Sequence, residues 1–319
     1  MACSLTINPA SFAALLLGLA ATHTFAQGTA PAATPRSSLL APSAPANARP
    51  PREVPLVEKK LTELSHQEFS EDGTKALEIN PAKWRHAETE NFILHFRRVT
   101  EAQKVAREVE YNLWFIATTL GASKERYAKK SHVYVFEDGD EWGEFLSVSN
   151  IKMTWAASFA RGDELFLNVR GAGRATGFDS QLLAHETTHA VVARLFPRTR
   201  WPLWLNEGFA EYMGSASVAA RKGQTVKRHQ AQLRLAEMPL SKLEYLTEYP
   251  DDMDEIGQLY QSSEKFIRFL TTEFPKERIV KFIDAVLAGG RMNDAVLAVY
   301  GDKVKDWADF EKRYARFQK

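Results

Sequence analysis

The chain has 319 residues, 45% hydrophobic and 25% charged, with 41 Lys and Arg against 40 Asp and Glu. This is an ordinary globular composition, and a net charge of +1 offers neither a basic field for nucleic acid nor an acidic tail. The single cysteine is Cys3, which excludes a disulfide framework and a cysteine-ligated metal, so any metal must be held by His and carboxylate.

Phe12 to Ala21 form a short apolar run, too short to span a bilayer and suited to a signal-peptide core. Small residues at Thr24 and Ala26 predict cleavage after Ala26, although no Lys or Arg precedes the run. No later stretch is apolar enough for a span. The expectation is a signal peptide over residues 1–26 and an exported protein, periplasmic or secreted, without stable membrane insertion. Residues 27–55 are rich in Ala, Pro and Ser, a linker composition. Residues 56–83 are polar, with a short helix expected near Val57 to Leu64. Residues 27–83 are therefore expected to be a linker and a poorly structured segment, with the folded domain at 84–319.

Phe92 to Phe96 reads as a strand, and Glu101 to Leu120 has helical periodicity ending at Gly121. His132 to Phe136 alternates as a strand, and Asp138 to Leu146 reads as a helix. His95 and His132 fall in strands and read as structural. Trp155 to Phe159 reads as extended and Glu164 to Val169 as a clearer strand. Gly171, Gly173 and Gly177 follow it, spaced unlike a phosphate loop, and read as a mobile loop. Everything beyond reads as helical. Mixed strands and helices followed by an all-helical half predict an α+β fold.

The chemistry concentrates in Gln181 to Leu195, which contains His185-Glu186-Thr187-Thr188-His189. Asp179 or Ser180 can cap this helix, and Pro197 limits its end. Residues i and i+4 share a helix face, so both imidazoles can reach one metal ion. Glu186 sits where a carboxylate can touch a metal-activated water. A catalytic zinc site needs a third protein ligand from another element. Glu207, 18 residues after His189, allows a helix to end, turn and return. A three-histidine site is excluded because Leu195 occupies the position of its third histidine.

His185-Glu186-x-x-His189 followed by Trp204-Leu-Asn-Glu207-Gly-Phe-Ala-Glu211-Tyr212 resembles the gluzincin metallopeptidases, the thermolysin-like and peptidase MA-like group. The resemblance is specific over residues 180 to 212 and looser over about 88–300. It implies a thermolysin-like (zincin) α+β catalytic domain holding one zinc ion, with His185, His189 and Glu207 as ligands. It also implies Glu186 as general base on the attacking water. Glu211, on the same helix face as Glu207, would hydrogen-bond a ligand histidine. Tyr260 would donate to the developing oxyanion, with His229 as its rival.

The element with which the aminopeptidases of that group grip a free amine has no counterpart in Ala157 to Asn168. The strand Glu164 to Val169 is expected to pair with an extended peptide. The expected function is thus hydrolysis of a peptide or protein substrate. The alternative is a non-catalytic, metal-stabilised envelope protein that binds a partner. Nothing in the chain signals an oligomeric state.

Overall fold

The computed structural model describes residues 50–51, 53–151, 157–170, 179–224 and 236–317. The expected signal peptide, the Ala/Pro-rich stretch up to residue 49, the glycine loop at 171–177 and His229 lie outside the described residues.

Strands precede helices. The first half runs β1 (Val57–Lys59), α1 (Glu71–Glu78), β2 (Arg85–Glu88), β3 (Phe92–Phe96), α2 (Val99–Leu120), β4 (Ser131–Phe136), α3 (Gly139–Val148), β5 (Ser158–Arg161) and β6 (Glu164–Asn168). The second half is helical: α4 (Ser180–Leu195), α5 (Leu203–Arg221), α6 (Leu240–Tyr245), α7 (Met253–Glu273), α8 (Arg278–Leu287), α9 (Met292–Tyr300) and α10 (Trp307–Arg316). The strands form one six-stranded mixed sheet in the order β1-β2-β3-β4-β6-β5. Its centre, β3-β4-β6, is parallel, and β1, β2 and β5 join antiparallel. The architecture is mixed α and β, as the order of elements predicts.

Two expectations fail. Residues 57–83 are not a poorly structured segment, and the helix expected at Val57 to Leu64 is instead β1 followed by a single 3₁₀ turn at Leu61–Glu63. Val57 pairs with Glu88 and Lys59 with His86, a contact between segments far apart in sequence that local periodicity does not encode. Ser70 caps α1 by accepting from the Gly73 N–H at 2.9 Å. The Ser70 N–H and hydroxyl both donate to Glu164, and Arg161 pairs with Asp72, so α1 is tied to the β5–β6 hairpin. The second correction concerns Glu164 to Val169. β6 is paired on both sides, so its backbone groups are not free for a peptide, and the terminal strand is β5.

Alternation along the strands gives the sheet two faces. Phe92, Leu94, Phe96, Val133, Val135, Leu165 and Leu167 join Val105, Val109 and Leu113 of α2 in an apolar cluster that continues through α4, α5 and α7 to α10. On the opposite face Tyr134, Phe136 and Phe166 pack with Trp84, Trp142, Phe145 and Phe159. That face also carries a histidine ladder, buried at His95 and His132 and half-buried at His86. His86 Nδ1 lies 2.8 Å from His95 Nδ1, and His95 Nε2 lies 2.9 Å from His132 Nδ1. A neutral imidazole has one donor and one acceptor, so His95 donates to one neighbour and accepts from the other.

Burial lowers the pKa of all three, that of His132 to about 4. A histidine with a depressed folded-state pKa contributes stability above its unfolded value of about 6.5, and that contribution is lost as pH falls towards the folded value. For His132 the loss between pH 7.5 and pH 5 is about 2 kcal/mol, and His86 and His95 act in the same direction. Urea unfolding at the two pH values should show this loss, and His132→Gln should remove about 2 kcal/mol of it. An acid loss unchanged by that substitution would contradict the ladder's role.

Candidate metal centre

Helix α4 begins where the Asp179 carboxylate accepts from the N–H groups of Gln181 and Leu182, at 3.0 and 3.1 Å. Ser180 is already inside the helix. Thr187 and Thr188 bond back to the carbonyls of Leu183 and Ala184, so both polar side chains are satisfied within the helix. Nearly the whole helix is buried, because it packs against α2, α5 and β5 at once. It ends at Leu195, before Pro197.

The return to α5 is held by Trp201, whose ring packs on Phe196 (5.4 Å between centroids) and Phe209 (5.6 Å). Glycines then bring the helices close. A Cβ on Gly214 would sit 3.3 Å from the His185 backbone nitrogen, so α5 lies directly on α4. A Cβ on Gly208 would sit 2.4 Å from the Ser263 carbonyl, so α7 lies as closely on α5. Glu207 therefore projects towards the two histidines from a helix backbone held on both sides.

His185 and His189 place their Nε2 atoms 3.0 Å apart. Glu207 Oε2 lies 3.7 Å from the first and 3.5 Å from the second, and all three residues are buried. Metal–ligand bonds of about 2.0–2.1 Å in tetrahedral array put ligand atoms about 3.3 Å apart. The three observed separations bracket that value, and Glu207 Oε2 has no hydrogen-bond donor of its own. His185, His189 and Glu207 thus form a group that can hold a metal ion.

The surrounding charge agrees. His185 Nδ1 lies 3.2 Å from Glu211 Oε1, off the line of a straight hydrogen bond. Glu186 is fully buried with neither oxygen hydrogen-bonded. Three carboxylates thus surround two imidazoles. Burial opposes a charge on His185, but Glu211, Glu186 and Glu207 lift its pKa to about 9. Burial pushes the Glu186 carboxyl up to about 7, against the pull of His185 and His189. Burial also opposes charge on Glu207, but His189, His185 and Tyr249 outweigh it and hold its pKa below the ordinary value. Without a metal the site thus retains protons to offset its excess negative charge, which a divalent cation would offset directly.

Of the remaining residues anticipated from sequence, Tyr260 is buried with its ring 6.2 Å from that of His185. Two participants carried no local signal. Tyr249, from the 246–252 connection, donates to Glu207 Oε1 at 2.7 Å. The Ala160 backbone faces Glu186. The Asn168 N–H bonds to the Ala157 carbonyl, and the register then turns Phe159 and Arg161 towards β6, and Ser158 and Ala160 outward. No family model, curated protein or solved structure matches the chain.

Gly208→Ala tests whether close packing sets the centre. It should lower stability by about 1–3 kcal/mol in urea unfolding, as overpacking does. An unchanged midpoint would mean that α5 and α7 separate freely.

Proposed function

We propose that the protein is an exported, zinc-dependent peptidase of gluzincin type with a thermolysin-like catalytic domain. The observation that carries this reading is Glu186. A fully buried carboxyl with neither oxygen hydrogen-bonded is costly to keep for structure alone, and it stands beside the three-residue metal group. A site built only to hold a metal has no need of it.

In this reading His185, His189 and Glu207 hold one zinc ion, the default metal for such a donor set. Zinc, when bound, polarises the scissile carbonyl and activates a water. Glu186 takes the proton of the attacking water and returns it to the leaving amine. Glu211 fixes the orientation of the His185 ring through Nδ1. Tyr260 is the hydroxyl donor for the developing oxyanion. The outward backbone groups of Ser158 and Ala160 offer an extended peptide a strand to pair with, next to Glu186. The absence among the described residues of a helix able to cross a membrane is compatible with export but does not argue for it.

The test is metal content and hydrolysis of a peptide library by wild type, Glu186→Gln and His185→Ala. Glu186→Gln should keep its zinc and lose about 10²–10⁴-fold in rate, whereas His185→Ala should lose both. Equal activity in wild type and Glu186→Gln would overturn the peptidase reading. Metal binding with no hydrolysis by wild type would favour a metal-stabilised protein that binds a partner.

A further inference from the structure

The two oxygens of Glu207 face different partners. Oε2 looks towards the Nε2 atoms of His185 and His189 and accepts no hydrogen bond. Oε1 accepts from the Tyr249 hydroxyl at 2.7 Å and from the Asn206 side-chain amide at 3.2 Å. Tyr249 belongs to the irregular connection between α6 and α7. Its ring stacks on Tyr260, with centroids 6.4 Å apart and planes at 26°. Tyr249 thus donates to the oxygen turned away from the histidines.

A carboxylate can bind a metal through one oxygen or two. Two-oxygen binding would add a fifth ligand to a centre otherwise made of two histidines, one carboxylate oxygen and one water or substrate oxygen. Glu207 is fully buried, so Oε1 relies on protein donors, Tyr249 and Asn206. Tyr249 makes the shorter of the two bonds to Oε1. We propose that Tyr249 is a positioning residue that presents Glu207 as a one-oxygen ligand and so keeps the centre four-coordinate. The proposal rests on reading His185, His189 and Glu207 as a metal centre.

Cobalt(II) bound to the full-length protein is the probe, because its visible absorption is intense in a four-coordinate site and several-fold weaker in a five-coordinate one. Wild type should bind one cobalt ion with the intense spectrum, and His185→Ala should not bind it. Tyr249→Phe keeps the ring and removes the hydroxyl. It should bind cobalt about 10–100-fold more weakly, as loss of a ligand-orienting bond does, and with the weaker spectrum. Tyr300→Phe, which removes a buried hydroxyl without a hydrogen-bond partner, should match wild type in both. Asn206→Ala should keep the intense spectrum, because Tyr249 remains. Wild-type affinity and spectrum in Tyr249→Phe would overturn the proposal while leaving the metal centre intact. Failure of wild type to bind cobalt through His185 would overturn the metal centre itself. Should Tyr249→Phe not fold, the wild-type spectrum and Asn206→Ala decide: a weak five-coordinate spectrum in the first, or loss of the intense one in the second, contradicts the proposal.

Discussion

Excess negative charge, buried at one point, is the constraint on which the rest of the structure depends. Glu186, Glu207 and Glu211 converge on His185 and His189 where little water reaches. An unpaired ion in a protein interior costs several kcal/mol, so such a cluster persists only if something offsets it. In the metal-free protein protons do so, through the raised pKa values of His185 and Glu186. A bound cation would do so with both imidazoles neutral and available as ligands. The separation of about 3–4 Å among the three ligand atoms suits the cation better than it suits a set of hydrogen bonds, because Glu207 Oε2 accepts none.

Holding that charge in place requires stiffness, and the fold supplies it by surrounding α4. The sheet and α2 lie on one side, and α5 and then α7 on the other. Gly214 and Gly208 remove the side chains that would keep these helices apart. The apolar cluster continues without a break from the sheet into the C-terminal helices, so their packing supports the same point. The opposite face of the sheet carries aromatic rings and the His86–His95–His132 ladder.

What the sequence made legible follows from the range of the interactions involved. The helix carrying His185 and His189 is local: its cap, its period and its ligand spacing all lie within 20 residues, and its cap at Asp179 and end before Pro197 match the structure. Glu207 and Glu211 lie one turn of chain later and keep a recognisable spacing. Strands β3 and β4 declared themselves through runs of β-branched and aromatic residues, and β6 through the apolar run Leu165 to Leu167. β1 did not, because three residues paired non-locally with β2 leave no period to read. Nor could spacing reveal that β6 is interior and β5 terminal, since strand order is a property of the whole sheet. Tyr249 was the largest omission. It sits in an irregular connection, 42 residues from its partner, and nothing about Glu248-Tyr249-Pro250 points at Glu207 until α5 and α7 are packed together.

X-ray absorption at the zinc edge of the zinc-loaded protein tests the central claim most directly. A centre built by His185, His189 and Glu207 should give one zinc ion per chain with imidazole scattering from two histidines. It should also give nitrogen and oxygen neighbours at about 2.0–2.1 Å and no sulfur shell near 2.3 Å. A spectrum without imidazole scattering, or zinc that dialyses away as readily from wild type as from His185→Ala, would contradict it.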